Sequence, residues 1–220
     1  VKSIELITHF LKYPTCIYQY QNKLSILIPE PASIKNTYDA LVQKVADTPF
    51  PFWAKLWPAS IALTDFLQSN TQWVVNKKVL EIGAGIGLPS FFIAKLASEI
   101  LITDHAKDAV ELMHENIKHL KLTKAQAKCL DWNHFPNEIK ADTILLSDVN
   151  YAPEQFEQLL HLLKRFIAVG STIILATPQR IMGVPFITSL ASYITASHIS
   201  SVKENEQTID ISILILNNNK

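Results

Sequence analysis

The sequence predicts an α/β fold in which a parallel sheet carries helices on both faces, preceded by a hairpin and a helix. Two observations predict it. From Lys78 onward, short apolar runs alternate with stretches of helical periodicity. Strands that are apolar on both faces belong to a covered parallel sheet rather than to a half-solvated antiparallel one. The first of those runs also ends in "GAGIG", which holds three of the chain's five glycines. Glycine costs backbone entropy, so such a cluster implies a sharp strand-to-helix turn or a close approach to the backbone.

The elements follow in order. Residues 17–28, "IYQYQNKLSILI", read as two short strands around a Gln21-Asn22 turn. "PEPA" breaks the chain. "SIKNTYDALVQKVAD" then places Ile34, Tyr38, Leu41, Val42 and Val45 on one helical face, with Ser33 as N-cap. After the proline- and aromatic-rich "TPFPFWAKLWP", Pro58 opens a helix that carries Ile61, Leu63, Phe66 and Leu67. "KVLEIG" is a strand and Leu88 to Ala97 a helix. "EILITD" is a strand, followed by "DAVELMHENIKHL", a helix with Val110, Met113, Ile117 and Leu120 inward. "AQAKCLDW" and "ADTILLSD" are strands, and "PEQFEQLLHLLKRFI" is a helix with Phe156, Leu159, Leu160, Leu163 and Phe166 inward. "STIILAT" is a strand, Phe186 to Tyr193 a helix, and "IDISILIL" a closing strand. Residues 1–48 read as an N-terminal embellishment and 49–220 as the sheet domain.

Composition narrows the classes. A chain of 220 residues with 48% hydrophobic and 18% charged residues is globular and long enough to bury a real core. Twenty basic residues balance twenty acidic ones, so nothing points to a polyanion such as nucleic acid. Cys16 and Cys129 are far apart with no CxxC, which argues against a disulfide framework or a metal site and for a reduced, cytoplasmic setting. "VKSIELITHFLKYP" is too short and too punctuated for a membrane span, and it lacks a signal-peptide pattern. His114 and His119 lie one residue too far apart for H-E-x-x-H and diverge by about 140° on a helix, so they read as surface residues. Cys129, inside a strand, reads as a small core residue. Trp53 reads equally as a core or a substrate-edge aromatic.

The glycine loop carries the chemistry. A dinucleotide fingerprint needs glycine three positions after Gly85, where Leu88 stands, and this weakens a nicotinamide-cofactor reading. G-x-G-x-G behind Glu81 instead resembles motif I of the class I, seven-strand S-adenosylmethionine (SAM) methyltransferases. Asp104 ends the next strand, 21 residues after Gly83, where a carboxylate can accept both ribose hydroxyls. "LDW" ends the third core strand, where this fold holds adenine. There the Asp131 carboxylate can take the exocyclic amine and the Trp132 indole can lie beside the ring.

Residues 50–170 resemble the seven-strand protein-lysine methyltransferases. The matching pieces are "PFWAKLWPASIALTDFL", "VLEIGAGIGLPS", "ITD", "LDW" and "DVNY", the last fitting that family's D/E-x-x-Y/F motif. "PFWAKLWP" is also similar to the flavoprotein-modifying branch and to bacterial nicotinamide-methylase-like sequences. The resemblance implies a Rossmann-like sheet of seven strands and SAM as cofactor. It places Trp57, Gly83, Ala84, Gly85, Asp104, Trp132 and Ser147 against SAM, and Asp148 and Tyr151 beside the methyl-acceptor channel. It implies a lysine of a partner protein as acceptor. A small amine or pyridine-type nitrogen, or a SAM-binding module without catalysis, are the other readings.

The chemistry agrees from below. Methyl transfer from a sulfonium is an in-line displacement that depends on positioning and desolvation. A lysine with a pKa near 10.4 must present a neutral amine, at a cost of roughly 4–5 kcal/mol at pH 7. Burial lowers that pKa and a bare carboxylate raises it, so Asp148 orients the amine rather than acting as a strong base. Tyr151 adds a cation–π face and a hydroxyl. Enzymes that methylate nucleic-acid amines carry two prolines in the corresponding motif, and "DVNY" has neither.

Overall fold

A computed structural model describes residues 12–218 of the protein. The chain opens with an antiparallel hairpin, β1 (Thr15–Tyr20) and β2 (Leu24–Pro29). Gln21 and Asn22 at its turn both take positive φ, 48° and 55°, which matches the right-handed twist of the paired strands. Helix α1 spans Pro31–Val42 behind Glu30. Ser33 is therefore not the N-cap but a first-turn residue, its hydroxyl bonded to the Glu30 carbonyl. Proline takes the first helical position because its missing N–H has no partner there anyway. None of the residues of α1 is buried.

The remaining elements are α2 (Pro58–Ser69), β3 (Lys78–Ile82), α3 (Leu88–Ile93), β4 (Glu99–Asp104), α4 (Lys107–His119), β5 (Ala125–Cys129), β6 (Thr143–Ser147), α5 (Phe156–Ala168), β7 (Thr172–Pro178), α6 (Val184–Leu190), β8 (Ile194–Glu204) and β9 (Gln207–Leu216). They build one seven-stranded sheet in the order β5-β4-β3-β6-β7-β9-β8. The first five strands in that order are parallel, while β9 runs antiparallel to both β7 and β8. The sheet is thus mixed at one edge rather than wholly parallel. Strand β8 escapes a hydrophobic reading because "ITASHISSVKE" is polar and mostly exposed at that edge, and pairing with β9 holds it in place. Helix α3 stops four residues short of the expected Ala97, and the chain then turns back into β4. Cys129 is exposed rather than buried, since β5 is the opposite edge of the sheet.

Each central strand feeds both layers of core. In β6, Ile144 and Leu146 face α5 and α6 through Leu163, Phe166 and Phe186. Leu145 between them joins the opposite layer with Leu63, Leu67 and Met113. That alternation is why the strands read as continuous apolar runs. Ile26, Leu27 and Ile28 of the hairpin are buried in the second layer. Asn116 of α4, wholly buried, accepts the Leu27 N–H (2.7 Å) and donates to the Leu27 carbonyl (2.9 Å). One amide thus satisfies both outward backbone groups of a buried strand residue.

Replacing Asn116 with Ala leaves two buried backbone groups without partners. Urea unfolding should show a loss of about 2–4 kcal/mol. Amide exchange at Leu27 should accelerate more than exchange in β3 or β6, and uniform acceleration would deny the hairpin this anchor.

Candidate active site

Strands β3 and β6 are neighbours, yet the chain leaves β3 toward β4 on one side and β6 toward β7 on the other. Their carboxyl ends therefore splay connections apart and open a crevice, the usual ligand position in such sheets. Gly83 and Gly85 leave β3 with φ of +64° and +55°, a region costly for any residue with a Cβ. A Cβ on Gly83 would stand 3.0 Å from Val149 Cγ1 and 3.3 Å from the Trp132 ring, and one on Gly85 3.1 Å from the Trp53 carbonyl.

Asp104 closes β4 beside this loop. Its Oδ2 accepts the Gly85 N–H (2.8 Å) and its Oδ1 the Ala106 N–H (2.9 Å). Each oxygen retains a lone-pair direction for a further donor. Beneath the loop lies Glu81, wholly buried, with Oε2 accepting the Ser90 N–H (3.2 Å). Its Oε1 and the Ser90 hydroxyl have no partner among the described residues. Burial pushes the Glu81 carboxyl up to about 7; Ser90 opposes this and Asp104 adds to it.

All nine residues expected at the site face one cavity of about 710 Å³. Trp57, Gly83, Ala84, Gly85, Asp104, Trp132, Ser147, Asp148 and Tyr151 all line it. Behind Trp132 a recess of about 90 Å³ shares Gly83 and His105 and adds Leu130 and Asp131. Asp131 is exposed, caps the turn Trp132–His134 by accepting the Asn133 N–H (2.9 Å), and does not line the main cavity. Trp53, ambiguous in sequence, is half-buried, lines the cavity and packs edge-on against Tyr13 at 5.5 Å.

Asp148 follows the end of β6 in a left-handed conformation, φ +55°, held by its N–H to the Ala176 carbonyl (2.9 Å). Its side chain is 6% exposed and is clamped by Arg180, Nη1 to Oδ1 at 2.7 Å and Nη2 to Oδ2 at 3.0 Å. Burial raises this carboxyl above the ordinary aspartate value; Arg180 foremost, with Lys55, pulls it down without reversing the shift, and Glu204 pushes it up. Lys55 pairs with Glu204 at 2.8 Å and sits 4.5 Å over the Trp57 ring. The Trp57 Nε1–H donates to the Phe52 carbonyl (2.9 Å). Burial, with the carboxylates of Asp104, Asp148 and Glu154, raises the Tyr151 hydroxyl, which stays neutral at physiological pH.

Sequence reasoning missed Arg180 and, Tyr151 apart, the aromatic wall. Tyr38, Phe50, Phe52 and Tyr151 form a chain of ring contacts at 5.1, 5.1 and 5.9 Å. Leu41 and Val45, at the end of α1 and just beyond it, also reach the cavity. Arg180 is 32 residues from Asp148, and no local pattern signals the pair. Among the described residues, no three His, Cys, Asp or Glu side chains converge as a metal site. No helix among them is long and apolar enough to cross a membrane.

A family profile described as lysine methyltransferase matches residues 51–192. The chain belongs to that family. Among curated relatives, a human histone-arginine methyltransferase, METTL23, is 32% identical over 111 residues, 48% of this chain and 58% of the relative. Protein N-lysine methyltransferase METTL21A of Xenopus tropicalis is 30% identical over 131 residues, 58% of this chain and 61% of the relative. The match thus spans little more than half the length of these relatives. The fold resembles that of N-methyltransferase NodS from Bradyrhizobium japonicum in complex with S-adenosylhomocysteine. There the TM-score is 0.57 and the identity 16%, over 82% of this chain and 98% of that one.

The buried Glu81 predicts a pH dependence. Its folded-state value of about 7 lies above the ordinary 4.5, so folding favours the protonated form. Its contribution is then full below pH 4.5 and declines as pH rises to about 7. Glu81→Gln removes the titration, so urea unfolding between pH 4.5 and 8 should show the variant gaining on wild type by up to about 3 kcal/mol. Parallel curves would mean that Glu81 ionises normally.

Proposed function

We propose that the protein transfers a methyl group from SAM to the ε-amine of a lysine in a partner protein. The observation that carries this reading is one cavity lined by two differently managed carboxylates. Asp104 is tied to backbone N–H groups, and Asp148 is cancelled by Arg180 beside Tyr151.

The residues present fit the cofactor. Asp104 keeps a free lone pair on each oxygen for two ribose hydroxyls, and Gly83 and Gly85 leave room for a nucleoside against the loop. Trp132 and the recess behind it suit the adenine, and Trp57 and Ser147 also line the cavity. When bound, SAM supplies a methyl group on a positively charged sulfur. The protein's part is to exclude water, align the amine and leave it unprotonated. Asp148 accepts a hydrogen bond from the amine, and Tyr151 offers a ring face and a neutral hydroxyl.

Lysine is favoured over the arginine named for the METTL23 relatives. A guanidinium is recognised by a carboxylate with both oxygens free for a fork. Both oxygens of Asp148 already hold such a fork with Arg180. A protein acceptor is supported by the apolar rim of the mouth, where Phe50, Phe52 and Tyr151 are exposed, with Ile181 and Met182 beside Arg180. The balanced charge supports a protein rather than a nucleic-acid acceptor, and the free thiols suit a cytoplasmic setting.

Calorimetry should detect saturable binding of SAM and S-adenosylhomocysteine, weakened about 10- to 100-fold in Asp104→Ala. Binding of NADH in place of SAM would refute the reading of the glycine loop. Incubating the protein and methyl-labelled SAM with a source-cell lysate should place label in protein as methyllysine. Label as methylarginine, or confined to small molecules, would overturn the acceptor assignment.

A further inference from the structure

Arg180 stands in the loop between β7 and α6, and that loop is seated firmly against the segment carrying Asp148. The Arg180 N–H bonds the Pro178 carbonyl (2.8 Å) and its carbonyl accepts the Gly183 N–H (3.0 Å). Thr177 donates its hydroxyl to Asn150 Oδ1 at 2.8 Å in the interior. Gly183 approaches so closely that a Cβ there would lie 2.7 Å from Asn150 Nδ2. The guanidinium is therefore positioned from both ends of its loop, and its fork holds the carboxylate in one orientation.

The charges around Asp148 make this placement consequential. Arg180 faces it from the loop after β7, Lys55 from the segment before α2, Glu204 from the end of β8, and Tyr151 from its own segment. Lys55 and Glu204 pair with one another, which leaves Arg180 as the counter-charge of Asp148. A lysine ammonium entering beside a bare, buried carboxylate would be held as the cation, the form with no lone pair to react. Beside a carboxylate already cancelled, desolvation acts on the ammonium almost unopposed and favours release of its proton to water.

Resting on the lysine-methylation reading above, we propose that Arg180 is a positioning residue for methyl transfer. By neutralising Asp148 and fixing its orientation, it makes the acceptor enter as the neutral amine. The amine lone pair then forms the new N–CH₃ bond as the sulfonium C–S bond breaks. The resulting methylammonium gives its proton to water on leaving.

The test uses the full chain as Arg180→Met, Arg180→Lys and the double variant Arg180→Met/Asp148→Asn. Carboxyl-carbon NMR, with the Asp148 signal assigned by its loss in Asp148→Asn, should show Asp148 titrating at least about one pH unit higher in Arg180→Met. Single-turnover transfer from labelled SAM to the purified lysate protein that the wild type labels should fall at least about tenfold at pH 7. It should recover toward pH 10, because the acidic limb of the rate profile moves up. Arg180→Lys should keep the wild-type limb with a lower plateau, and the double variant should return the limb toward wild type. S-adenosylhomocysteine affinity should stay within about twofold in every variant. A uniform loss at all pH values with an unmoved Asp148 titration, or an unchanged rate, would overturn the proposal and leave the lysine reading standing. A wild-type protein that binds S-adenosylhomocysteine but labels no protein amine would overturn both.

Discussion

The hydrogen bond from the Gly85 N–H to Asp104 Oδ2, 2.8 Å long, is the constraint on which the site depends. It ties the loop leaving β3 to the end of β4, so two neighbouring strands present one rigid edge to the crevice. The glycines leave the loop only the buried side chains of Ala84 and Ile86 with which to hold its shape. A charged acceptor aimed at its backbone does that work, and a hydrogen bond to a charged group is roughly twice as strong as a neutral one. The second bond, from Ala106 to Oδ1, fixes the carboxylate's rotation. Everything else in the cavity is arranged around that edge, from Trp132 against Gly83 to the Trp53 carbonyl against Gly85.

Three buried carboxylates lie in or under the cavity, and each is kept there by a different device. Glu81, wholly enclosed and only partly hydrogen-bonded, is held near neutrality by desolvation. Asp104 is satisfied by two backbone donors. Asp148 is matched by an arginine. Burying three bare negative charges would cost several kcal/mol each, together enough to exceed the small net stability of a typical domain. Diversity of compensation is thus a condition of having the cavity at all, and it leaves the two accessible carboxylates with different chemical characters.

The N-terminal segment belongs to this arrangement physically as well as in sequence. The hairpin is anchored by Asn116 and contributes Ile26, Leu27 and Ile28 to the core layer that supports α4. Tyr20 hydrogen-bonds Asp65 of α2, fastening the hairpin to a second helix. Helix α1, by contrast, has no fully buried residue and meets the cavity near its end and through the ring of Tyr38 on Phe50. Local stability should be low in such a weakly packed element, and it flanks the cavity.

How much of this was legible in the sequence depends on the range of the interaction. The runs "KVLEI", "EILITD" and "TILLS" are apolar on consecutive residues because a doubly covered strand has no solvent face, so the sheet's centre could be read directly. Gly83, Gly85 and Asp104 were legible because strand ends and turns impose their residue types locally. Strand β8 was not, since an edge strand is chosen by its partner β9 and not by its own hydrophobicity. The burial of Cys129 was misjudged for the related reason that strand order, invisible along the chain, decides which strands are edges. Arg180 opposite Asp148 is the clearest case. A salt bridge across 32 residues leaves no periodicity or spacing behind, and only the pairing of β6 with β7 brings those two loops together. Sequence alone determined the sheet's core, the glycine turn and the carboxylate beside it, because these follow from local backbone geometry and burial. Tertiary structure alone decided the mixed edge, the aromatic wall and the Arg180–Asp148 pair, because these depend on which distant segments are brought together.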